Sequence, residues 1–239
     1  MKWSVCYGYS PVDGRAEAFY KAAEGWVHWY GGKRDIEFCI VLDVRTRGIP
    51  SAALDLLWPH FDVRTEWARQ WTRCSSHAVN QAVAMSTGER VILSSPECML
   101  NSDALADFDR AYALDPNGYH VGTVAQADKD GRFFEPWLQH PRHNPRGLHF
   151  FSTMSRSTWD RVGGMDEKYG RGLFYEDNDF LQRVKAHGIT VNQLDAPNGL
   201  SHAIHMHHDR GYQANETLVD KNRSLYVAKE RTPNGFCKA

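Results

Sequence analysis

One acidic run in this chain has the residue types and spacing needed for proton transfer. Glu176-Asp177-Asn178-Asp179 follows Gly163-Gly164 and the glycine-spaced segment Tyr169 to Tyr175. Two carboxylates beside a glycine-rich segment suit the removal of a proton from an acceptor, with the segment as a flexible lid. The alternative interpretation is a helix cap, because acidic residues in a first turn interact favourably with the helix dipole.

Length and composition indicate a globular protein. The 239 residues suffice for one large α/β domain or two small ones, and a net charge of −1 disfavours a general nucleic-acid binder. No apolar run approaches the roughly 18–20 residues of a membrane span, and the start MKWSVCYGYS lacks a signal-peptide pattern. Five irregularly spaced cysteines without a CxxC pair indicate a reduced, cytoplasmic protein.

Strand and helix patterns alternate along the chain. Apolar runs at Trp3–Tyr9, Ile36–Val44 and Arg90–Leu93 predict strands, and the segments Arg15–Trp29 and Ser75–Gly88 have helical spacing. This alternation predicts a parallel sheet with helices on both faces. Further helices are expected at Ser51–Phe61, with a break near Pro59, and at Ser102–Leu114. Further strands are expected at Phe61–Arg64, Gly118–Ala125, His149–Met154 and Ile189–Leu194. A loop rich in His, Pro and Arg fills much of 128–146, and a polar tail follows His208.

The carboxyl ends of the predicted strands should form a ligand-binding crevice. Ligands of parallel sheets bind outside these ends, where Tyr9-Ser10, Asp43 and Ser95-Pro96-Glu97 are expected to converge. No GxGxxG follows the first strand, and the chain has no GxxxxGK[ST] motif. Dinucleotide binding and P-loop chemistry are therefore disfavoured.

Four features together resemble the GT-A-fold glycosyltransferases of the family 2 type. They are Asp43 after the second strand, Asn80 with Ala82 and Thr87-Gly88-Glu89, Ser95-Pro96-Glu97, and Gly163-Gly164-Met165-Asp166-Glu167 followed by Glu176-Asp177-Asn178-Asp179. The resemblance covers about Trp3 to His208. It implies an α/β GT-A fold, with one Rossmann-like mixed sheet, mostly parallel, flanked by helices. Residues 1–239 would form one domain, in which 1–100 bind the nucleotide sugar, 101–210 bind the acceptor and 211–239 form the tail.

The resemblance also implies an activity. A sugar would move with inversion from a nucleotide-diphospho-sugar, with a UDP-sugar as the first expectation, to an acceptor hydroxyl. Asp177 would be the base, and Glu176 or Asp179 would orient the acceptor or support the helix start. The residues expected to bind substrate are Tyr9, Ser10, Asp43, Asn80, Ser95, Gly164, Arg171 and Asp179.

The expected metal motif departs from the pattern of the family. Ser95-Pro96-Glu97 stands where the family has DxD, so only Glu97 offers a carboxylate to Mn²⁺ or Mg²⁺. His205, His207 and His208 resemble an extra metal ligand of the family, and imidazole suits Mn²⁺. At least one of these three histidines must lie outside the metal site.

Two other functions stay open at this point. The reduced DxD is compatible with a catalytically weak protein that binds sugar nucleotides, although the intact acidic run argues against it. A nucleotidyltransferase of related fold would need a Gly-rich, basic segment after the first strand, where only Gly14 and Arg15 are found. The acceptor could be a glycan, a lipid-linked glycan, a protein or a modified DNA base.

Overall fold

A large mixed sheet forms the centre of the protein. The computed structural model describes residues 1–12, 14–43, 50–70, 72, 74–132, 151–196, 201–208 and 215–237. Seven strands in these ranges form the sheet: β1 (Trp3–Tyr9), β2 (Ile36–Leu42), β3 (Asp62–Trp67), β4 (Arg90–Ser94), β6 (Tyr119–Val121), β8 (Phe151–Ser155) and β9 (Val191–Gln193). Their spatial order is β3-β2-β1-β4-β8-β6-β9, and all except β8 run in one direction.

Helices cover both faces of this sheet, as predicted. They are α1 (Arg15–Tyr30), α2 (Ser51–Leu57), α3 (Ser76–Met85), α4 (Ala104–Leu114), α5 (Arg156–Val162), α6 (Glu176–Ala186) and α7 (Glu216–Glu230), with a 3₁₀ helix at Glu167–Arg171. Phe19, Leu54 and Phe108 belong to a buried cluster that joins α1, α2 and α4 to one face of the sheet. On the other face, Val83 and Phe180 belong to the cluster of α3, α5 and α6. Every residue of β2 is buried, because helices lie on both sides of it.

A second, smaller sheet stands beside the large one. It contains β5 (Cys98–Leu100), β10 (Ala203–His205) and β7 (Val124–Gln126), in that spatial order, with β10 antiparallel to β5 and parallel to β7. The prediction of one strand over Gly118–Ala125 was therefore wrong, since β6 and β7 belong to different sheets. Gly122 separates them: its amide donates to the carbonyl of Phe151 at 2.9 Å, and a Cβ here would lie 2.8 Å from the Phe151 ring.

The structure adds detail to three other predicted segments. The helix predicted over Ser51–Phe61, with a break near Pro59, ends at Leu57. The predicted polar tail contains α7, a helix of 15 residues. In the predicted flexible lid, Tyr169 and Leu173 are buried, whereas Phe174 is 42% exposed. Most of the predicted loop at 128–146, from residue 133 onward, lies outside the described residues. Of the helices in the described ranges, none is both long enough and apolar enough to cross a membrane.

A buried carboxylate on β2 connects the start of β1 with the turn that precedes β4. Glu37 on β2 accepts hydrogen bonds from the Ser4 hydroxyl at 2.6 Å and the Gly88 amide at 2.9 Å, and it pairs with Lys2 at 2.8 Å. Burial by itself raises the pKa of Glu37, but hydrogen bonds from Lys2, Ser4 and the amides of Thr87 and Gly88 lower it to about 2. The backbone amides of Thr87 and Gly88, which belong to the predicted motif, thus donate hydrogen bonds to this carboxylate.

Replacement of Glu37 with glutamine should lower the free energy of unfolding at pH 7 by about 2 kcal/mol, because charge-assisted hydrogen bonds become neutral ones. Since the pKa is lowered from 4.5 to about 2 in the folded protein, this stabilisation is complete above pH 4.5 and is lost as the pH falls toward 2. Urea unfolding at pH 7 and pH 3 measures the effect, with the exposed Glu24→Gln as control. A difference that does not shrink at pH 3 contradicts this account.

Candidate functional site

Neighbouring strand ends bring several predicted substrate-binding residues to one edge of the large sheet. Tyr9 ends β1 opposite Leu42 of β2, and the amide of Asp43 donates to the Tyr9 carbonyl at 2.8 Å. On the other side of β1, Ser95 follows β4, and its carbonyl accepts from the Cys98 amide at 3.0 Å. Because β1, β2 and β4 are adjacent and parallel, their carboxyl ends share this edge, as expected from the sequence.

The small sheet brings Glu97 together with two histidines. Glu97 directly precedes β5, and the antiparallel pairing of β5 with β10 sets His205 opposite Cys98. The Met206 amide then donates to the Glu97 carbonyl at 2.9 Å. The Nε2 atoms of His205 and His208 lie 3.4 Å and 3.0 Å from Oε1 of Glu97. Residues more than a hundred positions apart thus form one cluster.

A guanidinium group also contacts the Glu97 carboxylate. Nε and Nη2 of Arg15 each lie 3.3 Å from a carboxylate oxygen of Glu97, and Nη1 donates to the Ser10 carbonyl at 3.2 Å. Burial by itself raises the pKa of Glu97, but hydrogen bonds from His205 and His208 and the charge of Arg15 hold it well below its ordinary value. Glu97 is therefore ionised at neutral pH.

This set of side chains fits a divalent cation. Glu97, His205 and His208 each offer a ligand atom, and the three atoms lie within 4.8 Å of one another. One ionised oxygen with two imidazole nitrogens suits Mn²⁺ better than Mg²⁺, which prefers oxygen ligands. His207, also predicted as a ligand, is exposed and lines an adjoining cleft of about 240 Å³. It lies outside the cluster that the described residues form.

The acidic helix begins directly after two residues with strained backbone. Phe174 and Tyr175 have φ angles of 61° and 72°, in the left-handed region that residues other than glycine rarely adopt. α6 starts at Glu176, and Oδ1 of Asp177 accepts from the Asn178 amide at 2.7 Å. Such strain persists only where the surrounding structure holds it, and it is common at functional sites.

The carboxyl group of Glu176 lies in surroundings that disfavour its charged form. Burial and the neighbouring charge of Asp177 raise the pKa of Glu176 to about 7, although hydrogen bonds from the Cys74 thiol and the Ser75 amide oppose the rise. Glu176 therefore holds a proton more readily than an ordinary glutamate does. Perturbed carboxyl groups of this kind are frequent at catalytic sites.

Asp179 lies in a buried network of charges. Its side chain is 0% exposed, Oδ2 accepts from Nε of Arg183 at 2.8 Å, and Oδ1 accepts from Nζ of Lys229 at 2.6 Å and from the Tyr169 hydroxyl at 3.2 Å. Lys229 also pairs with Asp166 at 2.6 Å. Asp179 thus joins α6 to α7, and this contact agrees with the expectation that it could support the helix start.

Asn80 and Gly164 act together in holding the turn before the 3₁₀ helix. The Asn80 side chain accepts from the Met165 amide at 2.8 Å and donates to the Met165 carbonyl at 2.9 Å. Gly164 has a φ of 69°, and a Cβ there would lie 2.9 Å from Oδ1 of Asn80. Both residues therefore have structural partners here, whereas Arg171 is exposed at the end of the 3₁₀ helix.

Two residues of α7 complete the support of the acidic helix, and the sequence did not indicate either. Asn222 is buried and donates from Nδ2 to the carbonyls of Tyr169 and Phe174 at 3.0 Å and 2.8 Å. The second residue is Lys229, in the network of Asp179. The sequence does contain a residue typical of a helix start before α7: Asn215 is the N-cap, and its side chain accepts a hydrogen bond from the Leu218 amide at 3.3 Å. Nothing in that signal predicts where α7 packs.

Comparisons with known proteins bear on the fold. Residues 148–209 match the family described as the N-terminal domain of galactosyltransferase, and no curated protein sequence matches the chain. The mannosyltransferase PcManGT from Pyrobaculum calidifontis, in complex with GDP-Man and Mn²⁺, has a TM-score of 0.62 and 15% identity over 98% of this chain and 66% of that chain. TarS 1-349 from S. aureus, in complex with UDP-GlcNAc, has a TM-score of 0.70 and 12% identity over 97% and 67%.

These similarities identify the architecture as the GT-A fold of glycosyltransferases, which confirms the fold class predicted from the sequence. The chain spans about two thirds of the length of these solved structures. The matched residues 148–209 include the acidic helix and both histidines of the cluster.

Mutation of the cluster should weaken its affinity for Mn²⁺. Glu97→Gln removes the ionised oxygen, and His208→Ala removes an imidazole, so each should weaken Mn²⁺ binding by at least about tenfold. Isothermal titration calorimetry and the electron paramagnetic resonance signal of free Mn²⁺ measure the affinity. His207→Ala serves as the matched control and should bind Mn²⁺ like the wild type. A large loss in that control, with none in His208→Ala, would assign the ligand to His207.

Proposed function

We propose that this protein is a glycosyltransferase that moves a sugar from a nucleotide-diphospho-sugar to an acceptor hydroxyl, with inversion at the anomeric carbon. The observation that carries the proposal is the convergence of Glu97, His205 and His208 beside the strand ends of a GT-A sheet. Two structures of the same fold were solved with GDP-Man and Mn²⁺ and with UDP-GlcNAc, which supports a nucleotide-sugar donor. A UDP-sugar is our first expectation.

The donor is proposed to bind along the shared edge of β1, β2 and β4. Asp43 would accept hydrogen bonds from the nucleobase, and Tyr9, Ser10 and Ser95 would contact the ribose or the sugar. Arg171 would offer its charge to the diphosphate. Glu97, His205 and His208 would hold Mn²⁺, whose charge, when it is bound, would stabilise the leaving diphosphate.

The acceptor is proposed to bind at the start of α6. Its hydroxyl oxygen attacks the anomeric carbon while the bond from that carbon to the diphosphate oxygen breaks. The hydroxyl proton passes to a carboxylate oxygen of Asp177, and the nucleoside diphosphate leaves with the bonding electrons. Glu176, beside Asp177, would orient the acceptor hydroxyl. Attack from the face opposite the leaving group gives inversion.

A panel of UDP-, GDP- and TDP-sugars with Mn²⁺ tests the donor class. At least one sugar nucleotide should bind, raise the melting temperature and undergo slow hydrolysis, because a bound ligand stabilises the folded state. Calorimetry and thermal shift detect the binding, and chromatography detects the released nucleotide. An absence of binding across the whole panel would overturn the proposal. Donor binding without hydrolysis or transfer to any acceptor would favour a sugar-nucleotide-binding protein.

Asp177→Asn should retain donor affinity and lose transfer activity by at least about a hundredfold, because the amide cannot accept the hydroxyl proton. The initial rate of transfer and the donor dissociation constant, measured on the same preparation, separate the two effects. Asp160→Asn, an exposed change on α5, is the matched control and should leave both quantities unchanged. Transfer that survives in Asp177→Asn would place the base elsewhere.

A further inference from the structure

The guanidinium group of Arg15 lies where the cluster would receive a metal ion. Nη2 of Arg15 is 3.3 Å from Oε1 of Glu97 and 3.5 Å from Nε2 of His208, and Nε is 3.3 Å from Oε2 of Glu97. Arg15 therefore contacts two of the three groups that offer ligand atoms. Its side chain is 18% exposed and that of Glu97 is 5% exposed, so solvent screens their attraction only weakly.

Arginine and a divalent cation compete for the negative charge of Glu97. A metal ion needs an oxygen lone pair of Glu97 and the lone pair of Nε2 on His208, and both atoms lie near N–H groups of Arg15. Arginine stays protonated in proteins, so it can release Glu97 only by moving away from it. A metal ion bound to the cluster would lie beside this guanidinium group, and repulsion between the two positive charges favours movement of Arg15 away from its present partners.

The surroundings of Arg15 indicate where its charge can go. It is the first residue of α1, and its Nη1 donates to the carbonyl of Ser10 just after β1, at the edge proposed to bind the donor. Diphosphate oxygens are good partners for a guanidinium group, which binds them through two parallel hydrogen bonds. A small rotation of the side chain about this anchored position would keep the charge at the donor edge.

We propose that Arg15 is an internal counterion that holds Glu97 until a divalent cation displaces it, and that the displaced guanidinium group then binds the diphosphate of the donor. The second part rests on the proposed transferase function, whereas the first part concerns metal alone. Because the donor stabilises the displaced position of Arg15, metal and donor should each bind more tightly in the presence of the other.

Affinity for Mn²⁺ without nucleotide tests the first part. Calorimetry on the full chain should give about tenfold tighter Mn²⁺ binding for Arg15→Gln than for the wild type, with Arg15→Lys between them because an ammonium group makes fewer contacts. Arg34→Gln is the matched control, since Arg34 pairs with Asp109 at 2.6 Å, and it should not change Mn²⁺ affinity. If Arg15→Gln does not fold, the Mn²⁺ affinity of Arg15→Lys is compared with that of the wild type and tests the same competition. No gain in affinity in the folded Arg15 variants would overturn the competition.

Donor affinity at saturating Mn²⁺ tests the second part and separates it from the proposed function. The probes are UDP-GlcNAc and GDP-Man, and the one that binds the wild type more tightly is used for the comparison. Its affinity for Arg15→Gln should be about tenfold weaker than its affinity for the wild type. Undiminished donor binding by Arg15→Gln would overturn the diphosphate role of Arg15. Failure of the wild type to bind any sugar nucleotide would overturn the proposed function, while tighter Mn²⁺ binding by Arg15→Gln would still support the competition.

Discussion

The central constraint on this protein is that a carboxylate removed from water needs compensating positive charge or hydrogen bonds. Glu97 meets that need with Arg15, His205 and His208, which come from the start of α1 and from the end of the small sheet. The site therefore exists only when α1, β4 and the pairing of β5 with β10 are all in place. Two of these groups, His205 and His208, also form a set of metal ligands together with Glu97.

The acidic helix depends on a second case of the same constraint. Asp179 is buried at the start of α6, and its charge is balanced by Arg183 within the helix and by Lys229 of α7. Asn222 adds hydrogen bonds to the carbonyl of Tyr169 and to that of Phe174, the first of the two strained residues. These contacts hold the start of α6 in place. Although α7 carries no proposed catalytic group, it therefore determines the position of Asp177, the proposed base.

Several features were predictable from the sequence because they depend on local patterns. The apolar runs of β1, β2 and β4 and the helical spacing of α1 and α3 correspond to elements that the structure contains. The crevice at the strand ends follows from parallel pairing alone. The strand predicted over Gly118–Ala125 was wrong because the chain passes close to Phe151 at Gly122 and continues in the other sheet. Residue types alone do not indicate this change of sheet. The glycines of the predicted lid serve close packing as well, since a Cβ at Gly172 would lie 2.2 Å from Asn222, and the sequence does not indicate this contact.

By itself the sequence determined the α/β architecture through its periodicity, and its resemblance to a known family indicated the candidate residues of both clusters. Only the tertiary structure decided which histidines join Glu97, because the register of β10 against β5 selects His205 and the chain beyond it returns His208 to the same oxygen. It also decided that Arg15 belongs to this cluster and that Asp179 is a buried support. Such contacts join residues that are far apart in the chain, and local sequence patterns therefore do not predict them.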